Sequence, residues 1–121
     1  MTIEVNSMPY FSIETNQTID PAANRKFMQK TSGFIAELMG KSEVYVMIAV
    51  RPETQLIFGN SEEPAAFVQL KNIGLQLDRC AEFSDKICSY IEQELKVPKD
   101  RVFIDFKDLN RKLFGWNGKT F

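Results

Sequence analysis

The hydrophobic positions switch between a period of two and a period near 3.6, and do so twice in the same order. Tyr10 to Thr15 alternates, with Phe11 and Ile13 on one face, which predicts a strand. Asp20-Pro21 then supplies an N-cap followed by proline at the first helical position. Phe27, Met28, Thr31, Phe34, Ile35, Leu38 and Met39 recur at three and four, a broad, mainly apolar helical face that Gly40 is placed to end. Val44 to Val50 is β-branched and apolar enough for a buried strand.

The second half predicts a strand over Ala65 to Ile73, a helix carrying Cys80, Phe83, Ile87, Ile91 and Leu95, and a strand over Arg101 to Phe106. Val97-Pro98 closes that helix, because proline disfavours α geometry in the residue before it. At a separation of 56 positions Phe11 matches Phe67, Asn16 matches Asn72, Phe27 matches Phe83 and Lys30 matches Lys86. The same separation matches Ile35 with Ile91, Val46 with Val102 and Ile48 with Ile104. Element types match in that register too, so the chain reads as two βαβ units in tandem. Right-handed crossovers would put both helices on one face of a four-stranded mixed sheet, an α+β sandwich with pseudo-twofold symmetry. The other sheet face is left uncovered, since the residues alternating with Val46, Ile48, Val68, Leu70, Val102 and Ile104 are also often apolar. A homo-oligomer whose sheets wrap around a shared interior would cover it, with Leu56 to Phe58 and the tail after Lys112 as added edge strands.

A length of 121 residues fits one domain that folds without metals or disulfides. The net charge is -1, and the only adjacent basic pairs, Arg25-Lys26 and Arg111-Lys112, read as solvated surface, so no nucleic-acid partner is expected. No apolar stretch approaches the roughly 18 residues of a membrane span. The first residues lack a secretory signal, so the expected address is cytoplasmic with no membrane partner. Cys80 and Cys88 stand two helical turns apart, too far to bridge, and read as packing residues. The sequence contains no histidine, which removes the usual general base, zinc ligand and nucleophile partner. No cofactor or metal is called for, and any catalyst must use another base.

A series of motifs carries a resemblance. Met8-Pro9-Tyr10-Phe11 opens the first strand, Gly40-Lys41 follows the first helix, and Phe58-Gly59 precedes Glu63-Pro64. Asn72-Ile73-Gly74, Asp100-Arg101-Val102, Gly115-Trp116-Asn117 and the closing Thr120-Phe121 complete it. In this order and spacing, from Pro9 to Phe121, the chain resembles the macrophage migration inhibitory factor and D-dopachrome tautomerase family of the tautomerase superfamily. The resemblance implies a homotrimer of tandem βαβ subunits, with sheets wrapped around a central channel and pockets between neighbours. It also implies keto-enol interconversion of small aromatic acids such as phenylpyruvate.

That reaction moves a proton between oxygen and carbon, so it needs a base, a group to steady negative charge on oxygen, and an apolar slot. In the family the base is the amine of an N-terminal proline, which implies Pro9 here. An α-amino group ordinarily titrates near 7.7 to 8.0, and desolvation lowers that value by disfavouring the charged form. The resemblance makes Lys41 the anchor for a substrate carboxylate or oxygen, and it places Tyr10 and Ile73 beside the substrate. Phe114 and Trp116 become an aromatic wall that Phe121 would close. Phe103 and Asp105 also fall at substrate-binding positions, where animal cytokine members carry tyrosine and asparagine. Phe103 removes a hydroxyl, and Asp105 either raises the Pro9 amine's pKa or pairs with Lys41. The Cys-x-x-Cys discussed for the animal cytokine corresponds to Ala65-Ala66-Phe67-Val68, so no thiol-disulfide function of that kind is carried.

Residues 1–8 read as an N-terminal extension before a single domain, 9–121. While they are attached, the Pro9 nitrogen is a tertiary amide without useful basicity. Three routes stay open: translation begins at Met8 and the methionine is removed, the extension is cut off later, or it is retained. In the last case the protein would be a catalytically silent, cytokine-like trimer that contacts a receptor or intracellular protein partner. Such a ligand would leave the cell, if at all, by a leaderless route. Thr2 to Asn6 alternates around Ile3 and Val5, and a retained extension would form a further edge strand or lie over the pocket mouth.

Overall fold

The computed structural model describes residues 8–121. The element order is β1 (Tyr10–Thr15), α1 (Pro21–Met39), β2 (Met47–Arg51), β3 (Ala66–Ile73), α2 (Cys80–Leu95), β4 (Val102–Leu109), β5 (Gly115–Trp116) and β6 (Lys119–Thr120). The main sheet has the order β2-β1-β3-β4, parallel within each βαβ unit and antiparallel between β1 and β3. It is the mixed four-stranded sheet that the tandem repeat predicts.

Asp20 caps α1 by accepting from the amides of Ala22 and Ala23, with Pro21 as the first helical residue. Gly40 ends the helix at φ 67, and the amides of Gly40 and Lys41 donate to Glu37 and Ala36. This αL cap is the geometry that glycine adopts without a Cβ penalty. α2 ends differently. Lys96 takes the left-handed cap at φ 60, so the helix stops before Val97-Pro98 is reached. The predicted strand over Val44 to Val50 also starts later than expected. Ser42 accepts from the amide of Val44 and opens a 3₁₀ turn over Glu43–Tyr45, which takes those residues out of the ladder.

Phe11 and Ile13 of β1 and Val68 and Leu70 of β3 meet Phe27 and Ile35 of α1 and Phe83, Ile87 and Ile91 of α2 in one core. Tyr90, which the helical pattern does not mark, belongs to it as well, stacked on Phe34 with ring centroids 4.1 Å apart. Its hydroxyl shares a 2.8 Å hydrogen bond with Thr31 Oγ1, which lies 2.7 Å from the Phe27 carbonyl oxygen that accepts from it. Thr31→Val is expected to cost about 1–3 kcal/mol, because it orphans a buried phenol, whereas Tyr90→Phe keeps the Thr31–Phe27 bond and costs about 1 kcal/mol or less. Urea unfolding of the two variants checks the difference.

The repeat needs one correction. Phe11 is 0 % exposed against the helices, whereas its match Phe67 lies between Ala66 and Val68, both core residues, and so faces the opposite side. The antiparallel register Phe11↔Leu70 and Ile13↔Val68 sets same-facing residues of the two strands an odd number of positions apart under the twofold. A separation of 56 fits the helices, where Phe27 and Phe83 both enter the core, but flips the first strand of each unit.

The uncovered face is less apolar than the alternation implied. The paired registers give rows Arg51–Glu14–Phe67–Phe103, Ala49–Ser12–Gln69–Asp105 and Met47–Tyr10–Lys71–Lys107. Its middle is polar and its aromatic residues lie toward the two ends. The edge-strand expectations also change. Leu56 to Phe58 forms no strand, only a Phe58↔Ser61 bridge, and the tail folds into its own two-stranded hairpin, β5–β6. The alternation over Thr2 to Asn6 lies outside the described residues. Cys80 and Cys88 are free thiols on α2, and burial pushes both pKa values up. Among the described residues no helix is long and apolar enough to cross a membrane.

Candidate active site

One end of the sheet gathers most of the chemistry. β1 starts there, the α1 crossover returns the chain to the same end for β2, and the antiparallel partners β3 and β4 finish there. Pro9, Lys41, Ile73 and the C-terminal hairpin are therefore neighbours in topology although they span most of the sequence. Pro9 is fully buried, and its carbonyl accepts from the Met47 amide at 3.0 Å, which ties the start of β1 to the start of β2. Ile73 is 3 % exposed at the end of β3. Lys41 stands just past the α1 cap, with no ion-pair partner among the described residues.

Beside Pro9 a cleft of about 240 Å³ is lined by residues from three segments of chain. Met8 and Tyr10 come from the start of β1, Val44 to Met47 from the approach to β2, and Phe114 to Trp116 from the tail. Six of these nine side chains are aliphatic or aromatic without a hydroxyl, and Tyr10 and Tyr45 bring the only side-chain oxygens. Tyr45 meets Trp116 edge to face at 6.2 Å. Phe121 stacks on both Trp116, at 6.0 Å, and Phe114, at 5.9 Å. It thus backs the aromatic wall and does not line the cleft itself. Asn117 and Gly118, at φ 55 and 77, make the tight turn that brings Thr120 opposite Gly115, and the Phe121 amide closes the tail onto the Arg111 carbonyl.

The structure brings Tyr10, Phe114 and Trp116 together in this cleft, with Pro9, Lys41 and Ile73 at the same end of the sheet but outside its lining. Phe103 and Asp105 are elsewhere. Phe103 shares a row with Glu14, five residues along from Pro9 or roughly 17 Å, and Asp105 shares a row with Ser12. Phe103 is 61 % exposed, and its ring leans on Phe58 at 4.8 Å. One subunit alone does not unite these two with Pro9. Val44 and Tyr45 are lining residues that a strand reading hid, because they sit in the 3₁₀ turn ahead of β2, and Val46 and Met47, which follow it, were not read as lining either. The signal available was Ser42, a residue type that caps such turns. Met8 is a further omission. It is 8 % exposed and helps form the cleft while its carbonyl carbon is bonded to the Pro9 nitrogen.

A family model described as macrophage migration inhibitory factor matches residues 8–121. The macrophage migration inhibitory factor homolog of Brugia malayi is 36% identical over 115 residues, covering 94% of this chain and 99% of that protein. The crystal structure of the homologue from Prochlorococcus marinus superposes with a TM-score of 0.84 at 38% identity, covering 93% of this chain and 98% of the other. The Trichinella spiralis structure gives 0.84 at 34%, covering 93% and 99%.

Proposed function

Because the chain belongs to the macrophage migration inhibitory factor family, we propose that its cleft is the site of a keto-enol tautomerase acting on small aromatic keto acids, with the amine of Pro9 as base. The observation that carries this reading is the aromatic and aliphatic cleft built at the first residues of β1, where a proline amine would be desolvated. Tyr45 and Trp116 offer rings for a phenyl group to pack on, and Tyr10 and Tyr45 are the lining residues whose hydroxyls can donate to an oxygen. Lys41 supplies a cation for the substrate carboxylate. The neutral amine takes the enol's hydroxyl proton and, as the ammonium, delivers it to the carbon while the oxygen becomes the carbonyl, so amine and proton count are restored and no metal or cofactor enters the proposed step.

The distance between Pro9 and Phe103 supports a second part of the reading. We assign Phe103 and Asp105 to the cleft of a neighbouring subunit in a homotrimer, where Phe103 adds apolar surface and Asp105 bears on the Pro9 amine. The reading requires a free Pro9. With residues 1–8 retained, Met8 holds the nitrogen as an amide and fills part of the cleft, and the protein is then a silent ligand for a protein partner. Turnover of the phenylpyruvate enol by chains with and without those residues separates the two states.

A further inference from the structure

Arg101 has no part in the cleft, yet it has an unusual set of partners. Its guanidinium donates to four backbone carbonyls, those of Pro64 at 2.8 Å, Glu63 at 3.0 Å, and Phe58 and Ser61 at 3.2 Å. No carboxylate pairs with it among the described residues. All four carbonyls belong to one turn, which reverses at Gly59 and Asn60, both at φ 60, and closes with reciprocal Phe58–Ser61 bonds. Asn16 pins the far end of the same turn by donating to Glu62 and Glu63 and accepting from Ala65. The guanidinium also lies over the Phe58 ring, 5.1 Å from its centroid. Phe58 in turn is the ring that Phe103 leans on.

This chain of contacts ends at an exposed phenylalanine with no other ring partner among the described residues. An exposed Phe on a sheet surface ordinarily samples more than one rotamer. Here one rotamer is backed by Phe58, and Phe58 is held by a fork of hydrogen bonds with fixed directions. We propose that Arg101 is a positioning residue that sets the orientation of the Phe103 ring, and so its fit to the substrate in the neighbouring subunit's cleft. The inference rests on the assignment of Phe103 to that cleft. Arg101 leads into β4, two strands across from β1 and at the opposite end of the sheet from Pro9, and does not touch the base, so its effect falls on binding and not on proton transfer.

The test uses Arg101→Lys, which keeps the charge and loses the fork, and Phe58→Leu, which removes the intermediary. This span accounts for 98% and 99% of the two solved chains it superposes on, so the chain beginning at Pro9 is suitable for turnover. Each variant is expected to raise KM for phenylpyruvate about two- to tenfold, the worth of one aromatic contact, with kcat within about twofold and the oligomer intact by ultracentrifugation. The double variant should be no worse than the poorer single one. In the full chain, 4-fluorophenylalanine at position 103 should give one sharp fluorine resonance that broadens or shifts in Arg101→Lys. An unchanged resonance overturns the proposal, as does a raised KM in Phe103→Leu with none in Arg101→Lys, which leaves the tautomerase reading standing. Loss of the oligomer together with kcat would reduce Arg101 to a structural role and overturn it too. If the Pro9 chain turns nothing over, the tautomerase reading fails, and the fluorine spectrum alone decides whether Arg101 sets the ring.

Discussion

Removal of residues 1–8 is expected to raise enol-keto turnover by about 10²- to 10⁴-fold, the usual contribution of a positioned general base. The difference between the two chains is chemical before it is structural. With Met8 attached, the Pro9 nitrogen has no proton to exchange and its lone pair is delocalised into the carbonyl. Without it the nitrogen is a secondary amine at the start of β1, held there by the Pro9 carbonyl's bond to Met47. Removal also takes the Met8 side chain out of the cleft that Tyr45 and Trp116 line. Base and space would appear together. Binding of an aromatic acid should improve in the trimmed chain as well, measured by calorimetry. A rise in affinity without turnover would separate the space from the base and point to the silent-ligand state.

The second large effect concerns the core. Phe11→Ala should cost about 3–5 kcal/mol, because the ring is fully buried on a central strand between both helices. That is a large part of the roughly 5–15 kcal/mol that holds a domain together. Phe67→Ala, its match at the 56-residue separation, should cost about 1 kcal/mol in the subunit, since Phe67 faces away from the helices. Denaturant unfolding at one fixed protein concentration makes the comparison. Equal losses would mean that the two phenylalanines face alike, against the Phe11↔Leu70 register.

That pair also shows what sequence could and could not convey. Helical positions repeat on a face about 100° wide, so a separation of 56 found Phe27 with Phe83 and Ile35 with Ile91 without needing an exact origin. A strand has a period of two and no such tolerance, and the same separation put Phe11 and Phe67 on one face when they occupy opposite ones. The order of elements and the cap at Gly40 were legible because each depends on residues close in sequence, and the sheet's mixed character followed from the repeat of whole βαβ units. The cleft was only partly legible. Trp116, Phe114 and Tyr10 could be named, whereas Val44 and Tyr45 depend on a 3₁₀ turn that begins at a single serine, and Met47 on its pairing with Tyr10. Phe103 and Asp105 could be named but not placed, because their distance from Pro9 follows from two long-range strand pairings in succession, β1 with β3 and β3 with β4.

A desolvated Pro9 amine acting as base sets the pH dependence of kcat/KM for phenylpyruvate enol in the chain that begins at Pro9. Only the neutral amine accepts a proton, so the rate should rise with pH and level off above the amine's pKa. Burial among apolar side chains places that midpoint below the ordinary α-amino range of about 7.7 to 8.0. A carboxylate near the amine works in the opposite sense, so Asp105→Asn should move the midpoint further down if Asp105 faces it. A profile that rises through a midpoint below about 7.7 supports the account; turnover no faster than buffer alone, or a rate independent of pH from 5 to 9, would contradict it.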